Sequence, residues 1–124
     1  MIISFGWTAQ YLPPLGGKDT TRRIWKPRTL AAWQKAWDDA RLWHDAVDKN
    51  LAYGGQRIGR IMLKERPFLQ SLRDMNGDEL AREGMPPDEV PTVDDFVAKY
   101  FNGDRDQVVA VVRFEFHPAS VPTP

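Results

Sequence analysis

Short stretches of alternating apolar and polar residues predict several β-strands along this chain. The predicted strands are 2–5, 18–25, 42–48, 56–65 and 108–116. The last is the clearest, because five apolar residues in a row are followed by a strict apolar–polar alternation. Two glycines at 54–55 predict a hairpin turn, and Gly59 predicts a bulge or a close backbone approach inside the strand that follows.

Apolar residues recur at helical spacing in other stretches. Leu30, Trp33 and Trp37 form one stripe behind Thr29, which we expect to cap a helix over 30–41. The other predicted helical segments are 71–83 and 92–101. A capping-box pattern, Thr-Val-Asp-Asp, starts the last of these.

Strands interleaved with short helices predict a small α+β domain around a mixed, curved or closed sheet. We expect one domain over residues 1–116 and a flexible C-terminal tail over 117–124, where three of the eight residues are proline. No internal repeat is visible. Regular βαβ alternation and the glycine-rich nucleotide-binding motifs are absent from the sequence, which excludes Rossmann and P-loop interpretations.

The composition suits a single core, with 42% hydrophobic residues in a chain of 124. The formal net charge of +0 argues against a protein that binds nucleic acid by bulk electrostatics. Charge is nevertheless uneven, because six cations and a single acid, Asp19, occupy the first 35 positions, whereas 74–106 is mostly acidic. This asymmetry could steer an anionic ligand toward the basic end, or reflect two solvated faces.

Several classes of site are excluded or unsupported. The chain has no cysteine, so disulfides, thiol nucleophiles and cysteine-based metal sites are ruled out. His44 and His117 are far apart and match no metal pattern, so we assign no metal and no cofactor. The sequence shows neither a signal peptide nor an apolar run long enough to cross a membrane, so we expect a soluble, cytoplasmic protein.

The segment 16–23, Gly-Gly-Lys-Asp-Thr-Thr-Arg-Arg, is the chemically densest part of the chain. Gly16 and Gly17 let the backbone approach a ligand closely. Lys18, if desolvated beside cations, would lose its proton more readily and could act as a base. In an extended strand Lys18 and Thr21 would point to opposite faces, so their pairing requires a turn or bulge between them.

This segment resembles the motif of the ASCH domain, a family in the PUA-like superfamily of small β-barrels. Gly16, Lys18 and Arg23 stand at the motif positions, and Thr21 stands where many members carry glutamate. Threonine at that position is a feature of the acetylcytidine amidohydrolase subgroup, which pairs it with a glutamate far downstream. Glu83, in Glu-Gly-Met, is the matching residue.

The resemblance implies a small ASCH-type β-barrel with mixed strands and short flanking helices. It also implies catalytic roles: Lys18 as base, Thr21 as nucleophile or orienter of water, and Glu83 as a binder of the exocyclic amine or a proton shuttle. Each also has a plain structural interpretation, as a solvated lysine, a β-branched strand residue and a helix-end acid respectively.

Four further residues are candidates for ligand binding. Arg22 and Arg23 could grip a phosphate or carboxylate, or form ion pairs inside the domain. Trp7 and Trp25 flank the motif and could stack on a nucleobase, or pack in the core.

Three functions remain open. The first is hydrolysis of the amide of an N4-acylated cytidine. The second is a non-catalytic module that binds RNA or a modified base, with Arg22, Arg23, Arg57 and Arg60 exposed in a cleft. The third is a ribonuclease, which the zero net charge makes less attractive. The expected partner is therefore a modified nucleoside or RNA, and the sequence does not indicate an oligomeric state.

Overall fold

Six strands and three α-helices are arranged along the chain in a computed structural model that describes residues 1–49 and 51–119. The strands are β1 (Ile2–Ser4), β2 (Thr20–Arg23), β3 (Trp43–Val47), β4 (Arg57–Leu63), β5 (Phe68–Ser71) and β6 (Val108–Pro118). The helices are α1 (Pro27–Asp38), α2 (Asp78–Arg82) and α3 (Val93–Tyr100). Short 3₁₀ turns occupy Gly6–Tyr11, Leu51–Tyr53 and Leu72–Asp74.

The strands form one mixed sheet in the order β1-β3-β4-β6-β2, with β5 also paired to β6. Only β1 and β3 are parallel among the described strand pairs, and the remaining pairs are antiparallel. The predicted hairpin between the third and fourth strands is confirmed. β5 was not predicted, because four residues directly after Pro67 give too short a pattern to read.

The long strand β6 organises the sheet. Its second half pairs with β4, whereas its first half pairs with β2 and β5. The sheet curls around this strand into a half-barrel, so the α+β class and the mixed, curved sheet are confirmed. A closed barrel is not seen, because the terminal strands β1 and β2 do not pair with each other in the described part of the chain.

Gly59 lies at an irregularity of the sheet. Gly59 pairs with Ala46, but the next pair is Val47 with Arg57, so Ile58 is the extra residue of a bulge. A Cβ atom on Gly59 would lie 2.3 Å from the carbonyl oxygen of His117. Both the predicted bulge and the predicted close approach are therefore present.

The helix ends differ in part from the predictions. α1 begins at Pro27 behind Lys26, not behind Thr29. The fixed φ of proline suits the first helical position, and its missing N–H would be unpaired there anyway. The predicted start of α3 is confirmed, since the Thr92 side chain accepts a hydrogen bond from the backbone N–H of Asp95.

The described residues form two apolar clusters against the sheet. One contains residues from α2, α3, β6 and the segments beside the two helices: Leu72, Met75, Leu80, Met85, Val90, Phe96, Val97, Phe101, Val109 and Val111. The other contains Ile3, Phe5, Leu12, Trp33, Ala46, Ile61, Leu63, Val112 and Phe114. Consecutive side chains of β6 contribute to opposite clusters, which explains its uninterrupted apolar run.

The end of β6 corrects one prediction. The strand was expected to stop at Phe116, with a loose tail from residue 117, but it continues through Pro118. His117 and Pro118 stay in the sheet because they pair with Arg60 and Gly59. The rest of the predicted tail, 120–124, lies outside the described residues. In the described chain no helix is both long enough and apolar enough to cross a membrane.

Candidate functional site

A pocket of about 180 Å³ opens where the two apolar clusters meet. β2, the loop before it and the residue directly after α2 supply its charged residues, and the first 3₁₀ turn and α3 supply aromatic rings. The pocket is lined by Phe5, Trp7, Thr8, Lys18, Thr21, Arg22, Arg23, Glu83, Met85, Phe96, Tyr100 and Phe101. The lining thus combines a charged wall, formed by Lys18, Arg22, Arg23 and Glu83, with aromatic rings.

Lys18 is buried in the charged wall, with 3% of its surface exposed. Its backbone N–H donates to the carbonyl of Tyr11 at 3.0 Å, which fixes the loop after Gly17. Its Nζ donates to the carbonyls of Thr20 and Glu83, both at 3.1 Å, and to Oε2 of Glu83 at 3.4 Å. Three acceptors therefore occupy the three donors of the ammonium.

Burial is the main influence on the pKa of Lys18 and lowers it from its ordinary value. The carboxylate of Glu83 opposes this shift, whereas the positive charge of Arg23 adds to it. The net direction is downward, so the neutral amine is more accessible than in an exposed lysine. A neutral amine in this position can accept a proton.

Glu83 follows α2 and is 2% exposed. Gly84 turns the chain directly after it with φ of +79°, a conformation that glycine adopts without strain. Oε2 of Glu83 faces Lys18, and Oε1 lies 3.8 Å from Nη1 of Arg22. The carboxylate is thus both a helix-end acid and a buried group between two cations.

Thr21 also faces the pocket, from the middle of β2. Its Oγ1 accepts a hydrogen bond from Nε of Arg23 at 3.0 Å, which leaves its own proton free to donate. Lys18 and Thr21 reach the same pocket because β2 begins only at Thr20, so strand alternation does not extend back to Lys18. The two side chains form no hydrogen bond with each other in the described structure.

The two arginines of β2 have different surroundings. Arg23 lies over the ring of Phe5, 5.4 Å from its centroid, and burial lowers the pKa of its guanidinium. The side chain of Arg22 is fully buried, and it donates to Gln70 at 3.2 and 3.0 Å and to Glu79 at 2.5 Å. It is therefore held inside the domain and not displayed in an open basic cleft.

Glu79 connects Arg22 to Arg113, whose Nη2 donates to the same carboxylate oxygen at 2.7 Å. Arg113 also donates to Oγ1 of Thr20 at 3.0 Å. This network joins β2, β6 and α2 behind the pocket and sets the position of Arg22. The local sequence does not reveal this network, because Glu79 looks like an ordinary acid in the first turn of a helix.

Two buried polar atoms have no hydrogen-bond partner among the described residues: Nη1 of Arg22 and the hydroxyl of Tyr100. Both residues line the pocket. Burial raises the pKa of Tyr100 to about 12, so its hydroxyl stays protonated at neutral pH. Tyr100 was not among the predicted site residues, because no local pattern distinguishes its hydroxyl from a solvated one.

The predicted stacking residues separate in the structure. Trp7 stands at the pocket mouth, 54% exposed, and stacks on Tyr100 with centroids 5.9 Å apart. Nζ of Lys99 lies 5.0 Å from the centroid of its ring. Trp25 lies outside the pocket lining and stacks on Trp33 at 5.4 Å, so its structural interpretation applies.

Neither predicted loop glycine lines the pocket. A Cβ on Gly16 would lie 2.3 Å from the carbonyl oxygen of Tyr11, so this glycine is required by close backbone contact. A Cβ on Gly17 would meet open space. Gly16 therefore shapes the loop that delivers Lys18, and neither glycine contributes to the pocket lining.

The residues that the structure describes contain no cluster of three or more histidine, cysteine, aspartate or glutamate side chains suited to a metal ion. His44 is buried against Trp33, and its Nδ1 lies 2.9 Å from the terminal amine of Met1. His117 contacts the ring of Trp43. Both histidines therefore lie outside the pocket.

No family model matches the sequence, and no curated protein matches it either. The fold is similar to that in the crystal structure of protein EF3133 from Enterococcus faecalis V583, of the family DUF984. That similarity has a TM-score of 0.51 and covers 91% of this chain and 68% of the other, with 13% sequence identity. At this identity the likeness shows a shared fold alone.

Proposed function

We propose that the pocket binds an acylated nucleoside and hydrolyses its amide, with N4-acylated cytidine as the substrate class. The observation that carries the proposal is the convergence of Lys18, Thr21 and Glu83 on one small pocket. Lys18 and Glu83 come from segments 65 positions apart, and both are buried on the pocket that Thr21 also lines. Surface residues grouped only by charge would not be desolvated in this way.

The aromatic side chains that line the pocket support a planar ligand. Trp7 is 54% exposed at the mouth, and Phe96 and Phe101 add apolar surface to the lining. Aromatic rings opposite a few convergent polar groups are typical of sites that bind nucleobases by stacking and edge hydrogen bonds. In the proposal Oε1 of Glu83 accepts the N4–H of the base.

The chemistry assigns a role to each of the three groups. Neutral Lys18 takes the proton of the Thr21 hydroxyl as that oxygen attacks the acyl carbonyl carbon. The bond between the acyl carbon and N4 then breaks, and the proton held by Lys18 passes to N4. Water hydrolyses the acyl-threonine ester and releases a carboxylate. If Thr21 instead orients water, the same proton transfers hold without the ester. Either route requires Lys18 to give up one of its present hydrogen bonds.

The proposal extends to the fold. The half-barrel built on β6, with the Lys18 segment entering β2, supports assignment to the ASCH-type PUA-like barrels. The sequence motif at Gly16, Lys18 and Arg23 adds to that support.

A second candidate is a binding module for a modified base, without catalysis. It is favoured by one observation: Lys18 donates to three acceptors and makes no hydrogen bond to Thr21 in the described structure. A lysine in that state orders the pocket and leaves the hydroxyl of Thr21 to contact a ligand. Ribonuclease activity has less support, since Arg22 is buried and engaged by Glu79.

Two substitutions at Thr21 distinguish the enzyme from the module. Thr21→Val removes the hydroxyl with little change of shape, and Thr21→Ser retains it. For the enzyme, release of cytidine from N4-acetylcytidine falls by about 10²-fold or more in the valine variant and persists in the serine variant. For the module, N4-acetylcytidine binds the unaltered protein without turnover. Trp25→Phe, outside the pocket, is the control. We expect it to keep the hydrolysis of an enzyme or the ligand binding of a module.

A further inference from the structure

The guanidinium of Arg22 is only partly used by its neighbours. Nε and Nη2 donate to Gln70 and Glu79, which fix the plane of the group. Nη1 is buried and has no hydrogen-bond acceptor among the described residues, with Oε1 of Glu83 at 3.8 Å. Since an arginine side chain is a donor only, Nη1 can be satisfied only by an acceptor.

The hydroxyl of Tyr100 is in the same condition. The ring is held by packing, with centroids 5.1 Å from Phe96 and 5.9 Å from Trp7. The hydroxyl itself has no described partner and is buried at the pocket. Packing therefore accounts for the ring and leaves the hydroxyl unexplained.

Buried polar groups in proteins are almost always paired, and an unpaired one destabilises the fold. Two such groups on one small pocket indicate that a ligand supplies the missing acceptor. The charges agree, because Lys18, Arg22 and Arg23 line the pocket against the single carboxylate of Glu83. An electropositive, partly desolvated wall favours an oxygen acceptor.

We propose that Nη1 of Arg22 and the hydroxyl of Tyr100 are the donors that bind the carbonyl or carboxylate oxygen of the ligand. That this oxygen belongs to the acyl group of an acylated nucleoside rests on the function proposed above. In that reaction the same donors stabilise the negative charge that develops on the carbonyl oxygen. Arg22 lies within segment 16–23 but does not stand at a motif position, and Tyr100 lies far outside that segment.

Tyr100→Phe tests this assignment, because it removes the hydroxyl and keeps the ring. Tyr11→Phe is the matched control. The Tyr11 ring also packs on Trp7, with ring centroids 5.9 Å apart, but Tyr11 lies outside the pocket lining. Binding is measured as the rise in thermal unfolding midpoint with N4-acetylcytidine, with cytidine, and with sodium acetate at constant ionic strength. We expect Tyr100→Phe to unfold at the same temperature as the parent or higher, since it loses no hydrogen bond.

The expected result is that N4-acetylcytidine or acetate stabilises the parent and Tyr11→Phe, and that Tyr100→Phe binds about tenfold more weakly, as for one lost hydrogen bond. Equal binding by Tyr100→Phe would overturn the assignment, as would the absence of any shift with both oxygen-bearing probes. Stabilisation by acetate that Tyr100→Phe loses, without binding of N4-acetylcytidine, would support the oxygen site and reject the acylated nucleoside. If N4-acetylcytidine is turned over and Tyr100→Phe leaves that turnover unchanged, the acylated nucleoside is supported and the oxygen site is rejected.

Discussion

Nζ of Lys18 lies 3.4 Å from Oε2 of Glu83, although the residues are 65 positions apart and both side chains are buried. The contact joins the loop before β2 to the end of α2, so it ties together the two segments that carry the proposed chemistry. Because burial removes water from both groups, each depends on the other for its charge to be stable.

Lys18→Met removes the hydrogen-bonded cation of the buried Glu83 carboxylate and leaves it with the more distant charges of Arg22 and Arg23. We expect a loss of about 3–5 kcal/mol in the free energy of unfolding, measured by urea denaturation. Combining it with Glu83→Gln restores part of the loss, because the buried carboxylate that lost its lysine partner is then neutral. Lys35→Met is the control, since its pair with Asp39 is exposed, and it should leave the unfolding midpoint unchanged. A Lys18→Met protein as stable as the parent contradicts the buried pair.

The pH dependence of turnover tests the role of Lys18 as a base. The neutral fraction of an amine grows with pH, so the rate rises through the pKa of Lys18, which lies below the ordinary 10.5. Arg23 contributes to lowering that pKa, so Arg23→Gln should move the rising limb to higher pH. The measurement is kcat against pH for both proteins. If kcat rises over the same pH range in the parent and in Arg23→Gln, a group other than Lys18 controls the rate.

Gly84 controls the geometry around Lys18. A Cβ there would lie 2.8 Å from the Cβ atoms of Lys18 and Tyr11, and its φ is +79°. Gly84→Ala should therefore lower stability by about 1–3 kcal/mol and reduce turnover more than the stability loss explains. Gly17→Ala, where the added methyl meets open space, should change stability by less than about 0.5 kcal/mol. Similar denaturation curves for the two variants would contradict this packing.

The helix caps give a direct comparison of two threonines. Thr92 accepts a hydrogen bond from the backbone N–H of Asp95 at 3.1 Å, so Thr92→Ala should lower stability by about 1 kcal/mol. Thr29 lies inside α1, which starts at Pro27, so Thr29→Ala should change stability by less than about 0.5 kcal/mol. Chemical denaturation of both variants checks this, and a larger loss at Thr29 would support the original cap assignment.

Much of the fold could be predicted from local pattern. The alternation in β4 and β6 and the glycines of the hairpin are visible in the sequence because each depends on near neighbours. The predicted start of α1 was wrong. Thr29 and Pro27 are both residue types that favour the start of a helix, and the helix begins at the proline. β5 and the half-barrel depend on how β6 divides its two ends among three partners, which no local pattern encodes.

The charged residues of the site could be predicted from the sequence, but the residues that pack around them could not. A motif resemblance suggested Lys18, Thr21 and Glu83 as one group, and the structure places all three on one pocket. Nothing in the sequence indicates that Glu79 would hold Arg22 or that the hydroxyl of Tyr100 would be buried without a partner. Those features arise from the packing of α2 and α3 against the sheet.

The most direct test is hydrolysis of N4-acetylcytidine by the purified protein beside Lys18→Ala, with cytidine followed by chromatography and the fold of the variant checked by circular dichroism. We predict steady release of cytidine and acetate by the parent and a loss of about 10²-fold or more in the folded variant. No turnover by the parent, or equal turnover by Lys18→Ala, would contradict catalysis through this pocket.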